Sequence, residues 1–170
     1  CTSWCRINES INTTLKYRIA TPIFQGRFET LGKRQVKSPK FNFRDTGLLH
    51  SLLDISNGHN LLGHPKVGAS WEGFVLEQAL QILHPNAEYF WGTHAGAELD
   101  LVFQSGGNRY GIEIKFNEAP TLTPSMRIAS SELSLEHLWI IYPGNETYPV
   151  MKNISALPLK NLESIREKIK

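Results

Sequence analysis

The stretch AELDLVFQSGGNRYGIEIKF, residues 97–116, decides the fold. Apolar and polar residues alternate on both sides of two glycines, which predicts a half-buried β-hairpin with its turn at Gly-Gly. This turn sets Asp100 opposite Glu113 and Glu98 opposite Lys115, so that the four charged side chains share one face. The other face receives Leu99, Leu101, Phe103, Tyr110, Ile112, Ile114 and Phe116.

The facing carboxylates Asp100 and Glu113 need a physical explanation. At a separation of about 5 Å they repel by about 3 kcal/mol at an effective dielectric constant of ~20, and burial adds a desolvation penalty. A shared proton, a nearby base or a divalent cation would offset the repulsion, and carboxylate oxygens favour Mg²⁺ or Mn²⁺. The alternative is a solvent-facing hairpin whose acids are held apart by water, and spacing alone favours it.

Two further residues shift the balance towards a site. Lys115 follows Glu113 by two positions on the same face, where an ammonium group stabilises an oxyanion or an activated water. Glu72 lies on a helix whose other residues are suited to packing, so it is a candidate fourth acid bordering the same site. Glu98 and Lys115 are expected to form an ordinary cross-strand ion pair.

The surrounding sequence predicts an α/β fold. Apolar spacing predicts a helix over 68–83, EYFWG at 88–92 predicts a strand, and a second helix begins near Pro124 with Thr123 as its cap. HLWIIYP at 137–143 is a continuous apolar run, typical of a strand buried on both faces. The order from 68 to 142 is helix, three strands, helix, strand, which predicts a mixed sheet flanked by helices.

The flanking segments give weaker patterns. We expect strands around 15–20 and over 40–44, and a short helix that is capped by Asp45 or Thr46 and ends at Asn57-Gly58. Its apolar residues are Leu48, Leu49, Leu52 and Leu53. The tail at 161–170 predicts an amphipathic helix. The chain is therefore divided into an N-terminal appendage (1–44), an α/β core (45–151) and a C-terminal tail helix (152–170).

Asp100 followed by Glu113-Ile114-Lys115 resembles the D…(D/E)xK signature of the PD-(D/E)XK nuclease superfamily. The element order, with an acid on the first helix, is also similar to that of the superfamily, although Leu99 stands where the signature has Pro. The resemblance implies a restriction-endonuclease-like αβββαβ core. It also implies that Asp100, Glu113 and the main-chain carbonyl of Ile114 hold Mg²⁺ or Mn²⁺, with Glu72 and Lys115 completing the catalytic set.

A closer resemblance covers about residues 25–151. LGKRQVKSPKFNFRDTGLL, WEGFVLEQ, GAELDLVF, IEIK and TPSMRIA…LWIIYPG resemble domain of unknown function 4143. That domain forms the C-terminal part of a group of bacterial and archaeal AAA+ ATPases, after the ATPase module and a winged-helix region. The resemblance implies that the ATPase module lies outside this chain and makes residues 1–44 a candidate winged-helix remnant. The chain opens with Cys rather than Met, which agrees with a fragment.

A basic stretch at 33–44 carries five positive and no negative charges. One interpretation is a winged-helix strand that grips DNA or RNA phosphates through Lys33, Arg34, Lys37 and Lys40, with Arg127 contributing from the second helix. The other is a solvated strand edge, or a surface that docks on the ATPase module. GRFETLGKR at 26–34 is not a nucleotide site, because its spacing is too long and Arg34 stands where Ser or Thr would hold Mg²⁺.

Composition sets the remaining limits. The 170 residues are 41% hydrophobic and 20% charged, with a net charge of +2, as in a globular domain rather than a disordered chain. No apolar run approaches the ~18 residues of a membrane span, so no membrane partner is expected. Cys1 and Cys5 are best explained as thiols of a reducing cytoplasm.

Two functions follow from the sequence. The first is a metal-dependent nuclease domain of an ATPase-type protein, which hydrolyses phosphodiesters in DNA or RNA. The second is a catalytically inactive module on the same scaffold that binds nucleic acid or a protein partner.

Overall fold

The computed structural model of the protein describes residues 20–23 and 40–169. Its strands are β1 (Ala20–Ile23), β2 (Lys40–Phe43), β3 (Glu88–Gly92), β4 (Glu98–Ser105), β5 (Asn108–Ile114), β6 (His137–Tyr142), β7 (Tyr148–Met151) and β8 (Ile154–Pro158). Its helices are α1 (Thr46–Leu52), α2 (Gly58–Leu62), α3 (Val67–Leu83), α4 (Pro124–Glu132), a 3-10 helix (Leu159–Ser164) and α5 (Ile165–Lys168).

One six-stranded mixed sheet organises the chain, in the order β3-β4-β5-β6-β8-β7. The pairs β5–β6 and β6–β8 are parallel, and the other pairs are antiparallel. The face towards α3 and the C-terminal helices buries one apolar cluster, which includes Val75, Ile112 and Ile165. The face towards α4 buries a second, which includes Met126 and Leu138. The predicted α/β fold with a mixed sheet flanked by helices is therefore confirmed.

The elements between 67 and 142 match the predicted order. Helix α3, strands β3, β4 and β5, helix α4 and strand β6 follow one another as expected. Thr123 caps α4 by accepting a hydrogen bond from the backbone N–H of Met126, and a proline opens the helix. Strand β6 is buried at all but its first residue, because helices cover both faces of the sheet there. Long, strongly patterned elements were thus predictable.

The segment between 45 and 62 differs from the prediction. Asp45 caps α1 as expected, but the helix already ends at Leu52 and buries no residue. Asn57 does not end that helix; it caps a second one, α2, by accepting from the N–H of Asn60. The exposed leucines Leu52 (66%) and Leu62 (67%) show that apolar spacing here does not mark a core-facing stripe.

The C-terminal segment is also corrected. A tail helix was predicted over 152–170, yet β8 occupies Ile154–Pro158 and pairs in parallel with β6 inside the main sheet. Helical structure follows only as the 3-10 helix and the four-residue α5. Because β8 is a full member of the sheet, the sheet continues beyond the predicted core boundary at 151. The strand predicted around 15–20 lies mostly outside the described residues.

The hairpin has the predicted register near its turn, where Leu101 pairs with Ile112 and Ser105 with Asn108. Against β3, however, β4 carries one extra residue, because Asp100 and Leu101 together stand opposite Phe90. This β-bulge reverses the alternation, so Leu99 packs on the α4 face, whereas Leu101 packs on the α3 face. The prediction that all seven apolar residues share one face is therefore wrong for Leu99.

Candidate active site at the open end of the hairpin

The hairpin has two ends with different structures. The turn end, residues 101–112, is a regular ladder, whereas the open end consists of residues 98–100 and 113–115, beyond the last recorded pair. At the open end Asp100 Oδ2 accepts a hydrogen bond of 2.9 Å from the backbone N–H of Ile114. The Asp100 carboxylate thus accepts a hydrogen bond that a strand carbonyl normally accepts. The bulge at Asp100 positions this carboxylate beside the N–H of Ile114.

Lys40 of β2 supplies the central positive charge of this region. Its Nζ lies 3.2 Å from Asp100 Oδ1 and 3.7 Å from both Glu72 Oε1 and Glu98 Oε2. The ammonium group also stands 5.9 Å from the centre of the Phe90 ring. Three carboxylates from α3 and β4 therefore converge on one lysine, which comes from a separate two-stranded sheet.

Glu113 and Lys115 form the second charged pair. Glu113 Oε1 lies 2.6 Å from Lys115 Nζ, and Glu113 is only 5% exposed. Its other oxygen, Oε2, is buried and has no hydrogen-bond partner. Burial, and then the nearby charge of Asp100, raise the pKa of Glu113 to about 7, although Lys115 and Lys40 act in the opposite direction.

Burial and neighbouring charges also shift the pKa values of Glu72, Lys40 and Lys115. Burial and the charge of Asp100 raise the pKa of Glu72, against the opposing effect of Lys40. Burial lowers the pKa of Lys40, but Asp100, Glu72 and Glu98 together raise it above its usual value. Lys115 behaves alike, since Glu113, Asp100 and Glu72 outweigh its burial and raise its pKa. Each lysine is thus held charged by the acids around it.

The charge balance of the cluster is negative. Four carboxylates, from Glu72, Glu98, Asp100 and Glu113, face the two ammonium groups of Lys40 and Lys115. With all six ionised, the sum is −2. Within the cluster, Glu113 Oε2 is the buried carboxylate oxygen that has no hydrogen-bond partner, and burial without a partner makes a proton or a cation favourable there.

The structure brings all four predicted catalytic residues, Glu72, Asp100, Glu113 and Lys115, into one electrostatic neighbourhood. The predicted pair between Glu98 and Lys115 is wrong, because Glu98 contacts Lys40 and Lys115 contacts Glu113. The bulge is the reason, since it ends the flat ladder that would have set these two opposite each other.

Lys40 is the residue whose place sequence reasoning missed. It was predicted to contact nucleic acid, but in the structure its side chain contacts Asp100 of the acidic cluster. Alternation in KFNF sets Lys40 and Asn42 on one face of β2, and this face meets α3, where Asn42 lies close to Gly73. That pattern was available in the sequence, but no local rule says which element β2 lies against.

The other predicted nucleic-acid residues divide into two groups. Lys33, Arg34 and Lys37 lie outside the described residues. Arg127 is exposed on α4, and its role remains a prediction. Arg44, also in the basic stretch, pairs with Glu77 of α3 at 3.5 Å. The basic side chains of this stretch that the structure describes are thus engaged by acids of the same chain.

Aromatic side chains flank the cluster in sequence. Trp71, next to Glu72, lies 5.7 Å from the ring of Phe116, which follows Lys115, and 6.4 Å from the ring of Phe74. Phe74 and Phe116 are each 40% exposed. A partly exposed group of aromatic rings is therefore formed by residues that neighbour Glu72 and Lys115 in the sequence.

Two features are absent from the described residues. Within 20–23 and 40–169, no group of three or more His, Cys, Asp or Glu side chains is arranged to hold a metal ion by itself. In the same part of the chain, no helix has the length and apolarity needed to cross a membrane.

Comparison with known proteins gives a family. "Uncharacterized protein Rv2008c" of Mycobacterium tuberculosis is 45% identical over 153 residues, which are 90% of this chain and 34% of that protein. "Uncharacterized protein Mb2031c" of Mycobacterium bovis matches to the same extent, so the chain spans about a third (34%) of each relative. No solved structure matches. The sequence profile of "Domain of unknown function (DUF4143)" matches residues 67–162, which include every candidate catalytic residue, and the chain belongs to this family.

Proposed function

We propose that this chain is a nuclease-like domain of an AAA+ ATPase-type protein that hydrolyses phosphodiester bonds in DNA or RNA with a divalent metal ion. The observation that carries the proposal is the open end of the hairpin. There a bulge gathers Asp100, Glu113 and Lys115, and one buried oxygen of Glu113 is left without a partner.

The fold supports a PD-(D/E)XK core. The order α3, β3, β4, β5, α4, β6 is that of the superfamily, and the three signature residues fall where two neighbouring strands of the central sheet part. Glu72, the acid of the first helix, approaches the same ammonium group as Asp100. The helix and the hairpin thus bring their acids to the same ammonium group. A chance match of short sequence motifs would not be expected to bring these side chains together.

The donor set fits a hard divalent cation. Asp100, Glu113 and the main-chain carbonyl of Ile114 would hold Mg²⁺ or Mn²⁺, and Glu72 would bind a second ion or its waters. Only two of these groups are side-chain carboxylates of the hairpin, so the set relies on a backbone oxygen and on water. When bound, the ion would lower the pKa of a water and stabilise the charge on the leaving group.

Lys115 would position the attacking water and assist its deprotonation. Its ammonium group is anchored by Glu113 at 2.6 Å, which fixes the side chain at the cluster. Being about a third exposed (37%), it also faces solvent, from which a substrate phosphate would arrive.

Aromatic and basic side chains support nucleic acid as the substrate. Trp71, Phe74 and Phe116 form a partly exposed group of rings, and bases stack on such rings at ~1–3 kcal/mol each. Lys33, Arg34, Lys37 and Arg127 would add contacts to the phosphates. The aromatic rings would stack on bases, while the charged cluster would contact the phosphodiester backbone of the nucleic acid.

The test is cleavage of labelled single- and double-stranded DNA and RNA with Mg²⁺ or Mn²⁺. We expect Asp100→Ala and Lys115→Ala each to lower the rate at least ~100-fold, because each removes a group proposed to act on the reacting atoms. Glu118→Ala and Lys152→Ala remove an exposed carboxylate and an exposed ammonium group and serve as controls. Cleavage that survives both Asp100→Ala and Lys115→Ala, or that persists in chelator, would refute the proposal.

A second function is favoured by one observation. Lys40 already neutralises part of the cluster, so the acids have a counter-charge without any metal. The chain would then be a catalytically inactive module that binds nucleic acid or a protein partner. Calorimetry separates the two: no Mg²⁺ binding, with salt-dependent nucleic-acid binding that is lost on replacing Lys33 and Arg34, favours the inactive module.

A further inference from the structure

Lys40 is the lysine of the charged cluster to which the proposed reaction gives no role. It lies outside the family match at 67–162, on a strand of the small β1–β2 sheet rather than on the six-stranded sheet. Yet its Nζ is the group on which Glu72, Glu98 and Asp100 converge, at 3.7, 3.7 and 3.2 Å. An element outside the matched region therefore supplies one of the two cations of the cluster.

The contacts of Asp100 make this placement consequential. Its Oδ1 accepts from Lys40 at 3.2 Å, and its Oδ2 accepts from the N–H of Ile114 at 2.9 Å. Both oxygens are therefore engaged. A divalent cation that took Asp100 as a ligand would have to displace Lys40 from Oδ1, since two cations that close together repel each other strongly.

Strand β2 is held in a way that permits such a displacement. None of its four residues is fully buried, and Phe41 is 61% exposed. Its links to α3 include two ion pairs: Lys40 with Glu72, and Arg44, just after the strand, with Glu77 at 3.5 Å. Elements held by few buried apolar contacts open at low free-energy cost.

We propose that Lys40 is a tethered counter-ion, which competes with a divalent cation for Asp100, so that the docking of β2 on α3 sets the metal affinity of the site. This inference rests on the proposed metal site. When β2 is docked on α3, Lys40 offsets part of the negative charge of the cluster and keeps its metal affinity low. Withdrawal of β2 leaves Asp100, Glu72 and Glu98 without their ammonium group and raises that affinity.

The first measurement is the affinity for Mn²⁺, by calorimetry or by electron paramagnetic resonance of the free ion. We expect Lys40→Met to bind Mn²⁺ about tenfold more tightly than the wild type, a factor typical of coupling between two sites. Lys40→Arg keeps the charge and should retain the competition. Lys152→Met removes an exposed lysine from the β7–β8 turn and should bind like the wild type.

The second measurement uses the unaltered chain and does not depend on how a variant folds. Acetylation of lysines by an amine-reactive reagent is followed by mass spectrometry with and without Mn²⁺. If the ion displaces Lys40, its labelling rate should rise severalfold with Mn²⁺, while that of Lys152 stays constant.

The outcomes separate the inference from the proposed function. Equal Mn²⁺ affinities of the wild type and Lys40→Met, or labelling of Lys40 that Mn²⁺ does not change, would overturn the inference and leave the metal site standing. Absence of Mn²⁺ binding in the wild type and in every variant would overturn both. Tighter binding by Lys40→Met, together with faster labelling in the wild type, would support it.

Discussion

The turn end and the open end of one hairpin are made of adjacent residues, yet they serve different purposes. At the turn end, Leu101, Phe103, Tyr110 and Ile112 are at most 5% exposed, and the backbone pairing is regular. At the open end the pairing between β4 and β5 stops and charged groups gather, among them a glutamate that is 5% exposed and has one unpartnered oxygen. Burial of apolar side chains stabilises the turn end. Repulsion between the carboxylates at the open end offsets part of that stabilisation.

The difference shows how a small domain carries such a cluster. Repulsion among acids is tolerable where the strands that bear them are fixed by an apolar core only a few residues away. The comparison therefore predicts large losses of stability from changes at the turn end. At the open end it predicts smaller effects, some of them gains.

The largest effect is expected from Ile112→Ala at the turn end. Ile112 is 0% exposed in the core under α3, so its truncation should lower the free energy of unfolding by about 3–4 kcal/mol. Denaturant unfolding followed by circular dichroism measures this. Ile128→Ala removes the same atoms from a side chain that is 39% exposed, and should cost under about 1 kcal/mol. Similar losses in the two variants would break the comparison.

The next effect concerns Glu113 and pH. A carboxyl group with a pKa of about 7 when folded and near 4.5 when unfolded binds more protons in the folded state between these values. Its contribution to stability is therefore present below pH 4.5 and is lost as pH rises through 7, by on the order of 3 kcal/mol. Glu113→Gln should remove this loss.

Unfolding curves at pH 4.5, 6, 7 and 8 test the point. The free energy of unfolding of Glu113→Gln should rise relative to that of the wild type as pH increases to about 7, and the difference should then stay constant. The exposed Glu118→Gln is the matched control and should follow the wild type at each pH. A variant whose stability runs parallel to that of the wild type would show that the open end carries no such strain.

The smallest effect is expected from Glu98→Gln. The Glu98 side chain is 57% exposed and lies 3.7 Å from Lys40, so solvent screens the pair. Its loss should change the free energy of unfolding by less than about 1 kcal/mol, and less again at high salt. A larger change would show that the open end is more tightly coupled than its exposure indicates, and denaturant curves at low and high salt decide it.

Sequence reasoning predicted the core elements well because their signals are local. The helical spacing of α3, the Gly-Gly turn and the apolar run of β6 each specify an element without reference to anything distant. The candidate acids followed from the hairpin register together with the family resemblance. The same locality explains why Thr123 was recognised as a cap.

What could not be predicted depends on contacts between distant segments. The bulge at Asp100 appears only when β3 is laid against β4, and the place of Lys40 only when β2 is laid against α3. Strand β8 lacks clear alternation, and its pairing with β6 is what makes it a strand. The leucines of α1 show the opposite case, since apolar spacing without a neighbouring element to cover it does not create a core: Leu52 is 66% exposed.

The position of β8 has a practical consequence for anyone preparing shorter versions of this protein. Ending the chain at Met151 would strip β6 of its parallel neighbour and leave one of the most apolar strands with an unpaired backbone edge. Such edges template association between molecules. A recombinant domain that stops there would be expected to precipitate, whereas one that runs through Ile169 keeps both the β8 pairing and the C-terminal helices that cover this face of the sheet.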